Sequence, residues 1–338
     1  MRYFAFSLLI TAAGLSTAYY WGGLGGLLVA SILSVMEISL SFDNAVVNAS
    51  VLRNLSAVWQ RRFLTWGMLI AVFGARFLLP ILIVAAMTGH RLDEVIQMAL
   101  RQPDEYARHL DDAHIRIAAF GGMYLLLVFF AFLFQTEKTL HWVVFLERRL
   151  SRLGKLESIE VVTALGALLA AQQFLPPAER TPALVAGITG VILFVLVKSL
   201  AALFGATEQA AGAVHRAGFL AFLYLEILDL SFSFDGVIGA FALSKDVVII
   251  MLGLTIGAMF VRSLTVFLVR RRALEEYLFL EHGAHYAVGA LAVLMLVDMV
   301  IEVPETLAGL TGMVFILLAL ISSVLYRRQL RRRADGAR

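Results

Sequence analysis

The chain contains no cysteine. That removes disulfides, thiolate metal sites and cysteine nucleophiles together. Charge is also scarce: Asp, Glu, Lys and Arg make up 16% of the 338 residues, against about 25% in soluble domains. So few charges cannot give a soluble globule a polar skin. No Walker motif is present, which argues against ATP-driven pumping by this chain alone. No linker or low-complexity stretch separates soluble domains. What dominates instead is apolar, with 60% hydrophobic residues and a mean hydropathy of +0.85. This is the balance of a bundle whose outer face meets hydrocarbon.

A membrane-spanning helix needs about 20 mostly apolar residues. Segments of that kind cover 3–21, 24–52, 63–88, 115–135, 158–175, 182–204, 216–243, 247–269, 284–303 and 306–326. The fold class is therefore all-α, a polytopic membrane bundle of ten spans. Arg2 followed by an apolar run has the outline of a signal peptide. However, Thr17-Ala18-Tyr19-Tyr20-Trp21 offers no small-residue cleavage site, so the segment is read as a retained first helix.

The loop charges test the count. With both termini on one side, the segments sharing that side carry 19 Lys and Arg, and the opposite loops carry five. The positive-inside rule then makes the rich side, with both termini, cytoplasmic, and the expected location is the inner (plasma) membrane. The basic residues sit beside apolar segments, which excludes a nucleic-acid surface as their purpose. Residues 89–114 form the largest external loop, with six acidic residues, and read as a solvated loop. Residues 327–338 read as a disordered basic tail.

Two segments match closely. Glu37-Ile38-Ser39-Leu40-Ser41-Phe42-Asp43 and Asp229-Leu230-Ser231-Phe232-Ser233-Phe234-Asp235 share the order acid, aliphatic, Ser, Leu or Phe, Ser, Phe, Asp, 192 residues apart. Each precedes a helix bearing an intramembrane arginine, Arg76 or Arg262. Glycine runs follow, Phe120-Gly121-Gly122 and Val288-Gly289-Ala290. The span count makes the two copies run in opposite directions. Inverted repeats with a site at their interface are a recurrent plan of secondary transporters. The halves are 1–157 and 158–326.

An ionisable group at membrane depth costs about 2.5–3.5 kcal/mol on insertion scales. This chain places Glu37, Asp43, Glu226, Asp229, Asp235 and Asp298 there. Arg76, Lys198 and Arg262 can compensate some of them, and Lys198 is also a candidate coupling group. Three cations do not balance six carboxylates, so a bound cation or protons would supply the rest. Glu37, Ser41, Asn44 and Asn48 share one helix face. Asp43 stands about 120° from Glu37 on an ideal helix, as Asp235 does from Asp229. Either the two acids of a repeat face different neighbours, or the helix unwinds around Ser-Phe-Asp. The ligand set is carboxylates, Asn amides, Ser41, Ser233 and backbone carbonyls. It suits hard cations such as Mn²⁺, Ca²⁺ or Mg²⁺. The small group Glu281, His282 and His285 at one end of the ninth span is either an interfacial cluster or a metal or pH site.

At Leu40-Ser41-Phe42-Asp43-Asn44-Ala45-Val46-Val47-Asn48-Ala49 and Ser233-Phe234-Asp235-Gly236 the chain resembles the TerC-type integral membrane proteins. Ala119-Phe120-Gly121-Gly122-Met123-Tyr124-Leu125 and His141-Trp142 add to the likeness. Within that group it resembles a branch filed under a domain of unknown function, near the LysE-type transporters. The resemblance covers roughly 24–320. It implies export of divalent metal, chiefly manganese and secondarily calcium, and an association with tellurium resistance. The implied metal ligands are Glu37, Asp43, Asn44, Glu226, Asp229 and Asp235. The half-sites are not chemically equal, since Gly236 stands where the first repeat has Asn44.

Other readings remain open. One is an exporter of a small organic cation or amino acid, and another is a non-transporting membrane organiser or metal-resistance partner. An aspartyl intramembrane protease would want Tyr-Asp and Gly-x-Gly-Asp, and neither occurs here, so no enzymatic activity is expected. No resident cofactor is implied. Protons or Na⁺ are the default coupling ions.

Overall fold

A computed structural model describes the backbone of residues 3–67, 69–136, 138, 140–156, 158–205, 211–244 and 246–335. It describes their side chains except at 64, 71, 72, 75, 79, 87, 201–205, 211–217, 232–235, 238, 239, 242, 305, 306 and 330–335. Every described element is helical: α1 Ala5–Leu40, α2 Phe42–Leu52, α3 Ala57–Arg62, π-helical stretches Phe63–Gly67 and Ile70–Leu78, then α4 Leu79–Thr88, α5 Leu92–Arg101 and α6 Pro103–Leu133. There follow α7 Val144–Leu153, α8 Ile159–Ala171 with a 3₁₀ turn Gln172–Phe174, α9 Pro177–Gly205, α10 Ala211–Leu243, α11 Val247–Arg270, α12 Ala273–Glu276, α13 Leu280–Asp298 and α14 Glu305–Asp335. In hydrocarbon a helix satisfies its own backbone donors and acceptors, which is why an apolar sequence resolves into rods. Six of these helices are long and apolar enough to cross a membrane. Leu, Ile, Phe and Val side chains stay exposed along the bundle's outer faces. The chain is an all-α membrane helical bundle.

Local chemistry explains the breaks. Gly23 takes φ +62 and splits α1 into two rods, a conformation that costs an ordinary residue energy but not glycine. Ser41, at φ −102 and ψ 14, separates α1 from α2. Hydroxyls inside the apolar rods are satisfied by the preceding turn, as when Ser31 donates to the Leu27 carbonyl and Ser34 to that of Ala30. Asp246 caps α11 by accepting from the Val248 and Ile249 amides at 2.9 and 3.2 Å.

Three sequence expectations change in shape. The region 89–114 is largely helical: Arg91 and Glu94 form a capping box for α5, and Pro103 starts α6 twelve residues earlier than the apolar run alone suggests. Residues 136–157 contain α7. The basic tail continues α14 as helix through Asp335.

Contacts between helix ends pair the connections that the charge count put on one side. Arg53 meets Glu281, Arg327 meets Glu276, and the Trp142 indole donates to Ser322. At the opposite end Trp21 donates to Asp246, and His114 pairs with Asp298. Hence the motif segment leading to Arg53 and the one leading to Asp246 run in opposite directions. Packing is reciprocal as well: α2 lies on α11 and α13, while α10 lies on the 70–78 π-helix and α6. The two glycine runs serve one interface between α6 and α13, where a Cβ on Gly121 would sit 2.8 Å from Met295 Cε and one on Gly289 2.5 Å from Phe129 Cγ.

The most extensive interface joins α1 to α11. Gly253 and Gly257, four apart on α11, let the two backbones approach. A Cβ at Gly257 would lie 2.5 Å from Glu37 Cβ and 2.9 Å from the Ser34 carbonyl oxygen. Gly257→Ala should therefore destabilise the bundle by roughly 1–3 kcal/mol. Gly25→Ala, where a Cβ meets nothing within 4 Å, should be near neutral. Thermal unfolding of both variants in one detergent checks the contrast.

Candidate functional site

The break at Ser41 ends α1 and starts α2 so that Glu37, Ser41 and Asn44 point into the bundle on one side. Glu37 is 1% exposed. Its Oε1 accepts from Ser41 Oγ at 2.9 Å and pairs with Arg76 Nη2 at 2.5 Å. Arg76 comes from the π-helix Ile70–Leu78. Extended π winding is rare, and its short insertions concentrate at functional sites. The other guanidinium nitrogen, Nη1, lies 4.0 Å from Asp229 Oδ2 on α10. Asp229 Oδ1 accepts from Asn44 Nδ2 at 2.5 Å. The two Ser-Phe-Asp segments therefore touch directly, through Asn44 of the first and Asp229 of the second, with Arg76 bridging their acids.

Beside this network opens a cavity of about 40 Å³. At about 10–15 Å³ for each water centre, it holds about three waters. Asn48 contributes from α2; Phe63, Gly67 and Arg76 from the π-helical region; Glu226 and Asp229 from α10; and Ala258, Val261, Arg262 and Thr265 from α11. The absent side chain of Gly67 leaves the place that Glu226 Oε1 occupies. Both intramembrane arginines reach this one cavity, one from each repeat. Around it lie buried oxygens with no hydrogen-bond partner among the described residues: Asn44 Oδ1, Asn48 Oδ1, both Glu226 carboxyl oxygens and Asp229 Oδ2. Buried acceptors are seldom left unmatched, and a cavity of this size has room for water that would match them. Among the described residues no three His, Asp or Glu side chains are placed to hold a metal ion by themselves. A cation here would draw on the amide oxygens and on water.

Other sequence candidates lie elsewhere. Asp43 is buried on the far side of α2, where Oδ1 accepts from the Asn44 amide at 3.0 Å and Oδ2 would lie 3.5 Å from a Cβ on Gly312. The two acids of the first repeat thus face different neighbours, as their six-residue offset allows. Asp298 is at a helix end, 2.6 Å from His114 and capping the Val303 amide at 2.6 Å. Lys198 is exposed and pairs with Glu160 at 2.6 Å. The side chains of Ser233 and Asp235 lie outside the described residues.

Sequence reasoning passed over Glu147, which is fully buried at the Arg53 end. Its Oε1 accepts from the Trp142 and Val143 amides at 3.3 and 3.2 Å and from the Tyr286 hydroxyl at 3.2 Å. His141, His282 and Lys138 nitrogens stand 3.4, 3.7 and 3.8 Å from Oε2. Burial pushes the Lys138 amine down to about 8, against the opposing pull of Glu147 and Glu281. Of Glu281, His282 and His285, only His282 joins this cage. Glu281 pairs with Arg53, and the His285 ring stacks on Phe132 at 4.0 Å.

A helical bundle of membrane-spanning length, with an arginine–carboxylate network beside a small cavity, defines a polytopic membrane protein. The chain belongs to the family described as Protein of unknown function (DUF475), which matches residues 42–330. No curated protein and no solved structure matches it.

Removing Arg76 would take away the guanidinium that Glu37 and Asp229 share, a loss of about 3–5 kcal/mol for a broken buried pair. Arg76→Met should therefore lower thermal stability sharply, and Glu37→Leu added to it should restore a large part. A double-mutant cycle in detergent measures that coupling.

Proposed function

We propose that this protein is a secondary transporter that carries a hard cation through the cavity between its repeats, with Mn²⁺ the first candidate and Ca²⁺ the second. The observation that carries the reading is the set of unmatched buried oxygens around Asn44, Asn48, Glu226 and Asp229. Such oxygens suit hard cations better than soft ones. Charge agrees in sign: Glu37, Glu226 and Asp229 face two guanidiniums, Arg76 and Arg262. The TerC-like motif residues named above point the same way. In this reading the arginines hold the empty site together and cargo competes with them for the carboxylates. One repeat then rocks against the other, with protons or Na⁺ as coupling ions and the Arg53 end in the cytoplasm. Asp43, on the far side of α2, lies outside this proposed pathway. The reading is of a carrier and not of an enzyme.

Two arginines beside two carboxylates would also suit a zwitterion such as an amino acid. A cavity of about 40 Å³, room for about three waters, favours an ion over such a molecule.

Proteoliposomes loaded with a metal-sensitive dye test the proposal under gradients of Mn²⁺, Ca²⁺ and Mg²⁺, with and without a pH gradient, and with amino acids as competitors. Divalent flux should appear in the parent protein. It should fall at least tenfold in Glu226→Gln and in Asp229→Asn, the equivalent of about 1.4 kcal/mol. Folded protein that moves none of the three ions would exclude the metal reading, and inhibition by an amino acid would favour the alternative.

A further inference from the structure

Helix α7 is attached to the bundle in an unusual way. Its one buried side chain is an acid, Glu147. The carboxylate is clasped by backbone amides of its own helix start, by Tyr286 and by the basic ring of Lys138, His141 and His282. The neighbouring Trp142 is fixed to α14 through Ser322 at 3.1 Å. The remaining turns project away. Leu146 and Leu153 are exposed, Leu150 is half-buried, and at 3.6 residues per turn the three fall within an arc of about 60°. Arg148, Arg149 and Arg152 are exposed on the adjoining arc, and Lys155 follows. The Arg149 guanidinium lies 4.0 Å over the ring of Phe145, an exposed residue on the same arc, in a cation–π contact. The helix sits between the ends of two apolar rods, α6 and α8, so it lies at the level where hydrocarbon gives way to headgroups.

An apolar arc beside an arginine-rich one, at that level, is the pattern of helices that lie in the membrane interface and select acidic lipids. We propose that α7 is a membrane-surface helix that binds anionic lipid headgroups through Arg148, Arg149, Arg152 and Lys155, with Glu147 as the clasp that holds it in register. The partner is a phosphate-bearing lipid surface: the basic arc complements its charge, and the leucine arc complements its acyl boundary. This inference does not depend on the transport reading.

The absence of native cysteine makes the test direct. Leu153→Cys in the full chain is labelled with an environment-sensitive fluorophore and placed in nanodiscs of phosphatidylcholine, with and without phosphatidylglycerol. Acidic lipid should shift the emission to the blue and raise quenching by tail-brominated lipid severalfold, and high salt should reverse most of this. Replacing the four basic residues by glutamine should abolish the difference between lipids. Glu147→Gln, with all four bases intact, should reduce it, because the helix is no longer held in register. Equal emission in both lipids would overturn the proposal. So would disulfide cross-linking of unlabelled Leu153→Cys to a second copy irrespective of lipid, which would make α7 a contact between protomers. An unchanged lipid response in Glu147→Gln would remove the clasp.

Discussion

The architecture depends on how the membrane interior treats charge. Arg76 and Glu37 are almost completely withdrawn from solvent, and neither could stand alone there without a penalty far larger than ordinary packing gains. Their pairing fixes the end of α1 against the π-helix 70–78. Asp229, reached by Arg76 and by Asn44, ties both to α10. Three elements distant in sequence are thereby locked in one relative orientation. The close approach at Gly253 and Gly257 seats α1 on α11 beside the same carboxylate, since a Cβ at Gly257 would lie 2.6 Å from Glu37 Cγ.

Around that lock the two halves treat each other alike. Each motif helix packs on the partner half's arginine-bearing helix, and the two helices that carry the glycine runs pack on each other. Helix pairs in lipid gain little from hydrophobic burial, so close backbone contact and polar bridges set their specificity. The interface between halves has both. It also keeps unmatched oxygens and a water-sized space that tight packing would have eliminated.

Much of this was legible in the primary structure, for physical reasons. Apolar runs of spanning length located the rods, because lipid allows few alternatives. The asymmetry of Lys and Arg separated the two ends, and contacts such as Arg53–Glu281 and Trp21–Asp246 pair ends in the same grouping. The offset of six between Glu37 and Asp43 already held the possibility that they part company. What stayed hidden lacked a contrast to reveal it. The π winding before Arg76 lies in a uniformly apolar stretch, where no periodicity marks a change of pitch. Lys198 resembled an intramembrane cation because Glu160, which pairs with it, is distant in sequence. Glu147 was inconspicuous among the arginines of a charged connection, and its burial depends on His282 and Tyr286 more than 130 residues away.

The substitution of Gly236 for Asn44 between the two motifs has a kinetic corollary. A Cβ at position 236 would lie 3.0 Å from Glu37 Oε2, so the carboxylate of one half borders the gap left in the other. In the proposed carrier the two faces of the binding chamber therefore offer cargo different groups. Half-saturating concentrations must then differ between the two sides of the bilayer. Detailed balance then requires the loaded and the empty protein to divide between the two orientations in ratios that differ by the same factor. One missing side chain would let cargo itself shift the carrier between its orientations, while leaving the final gradient to the coupling ion.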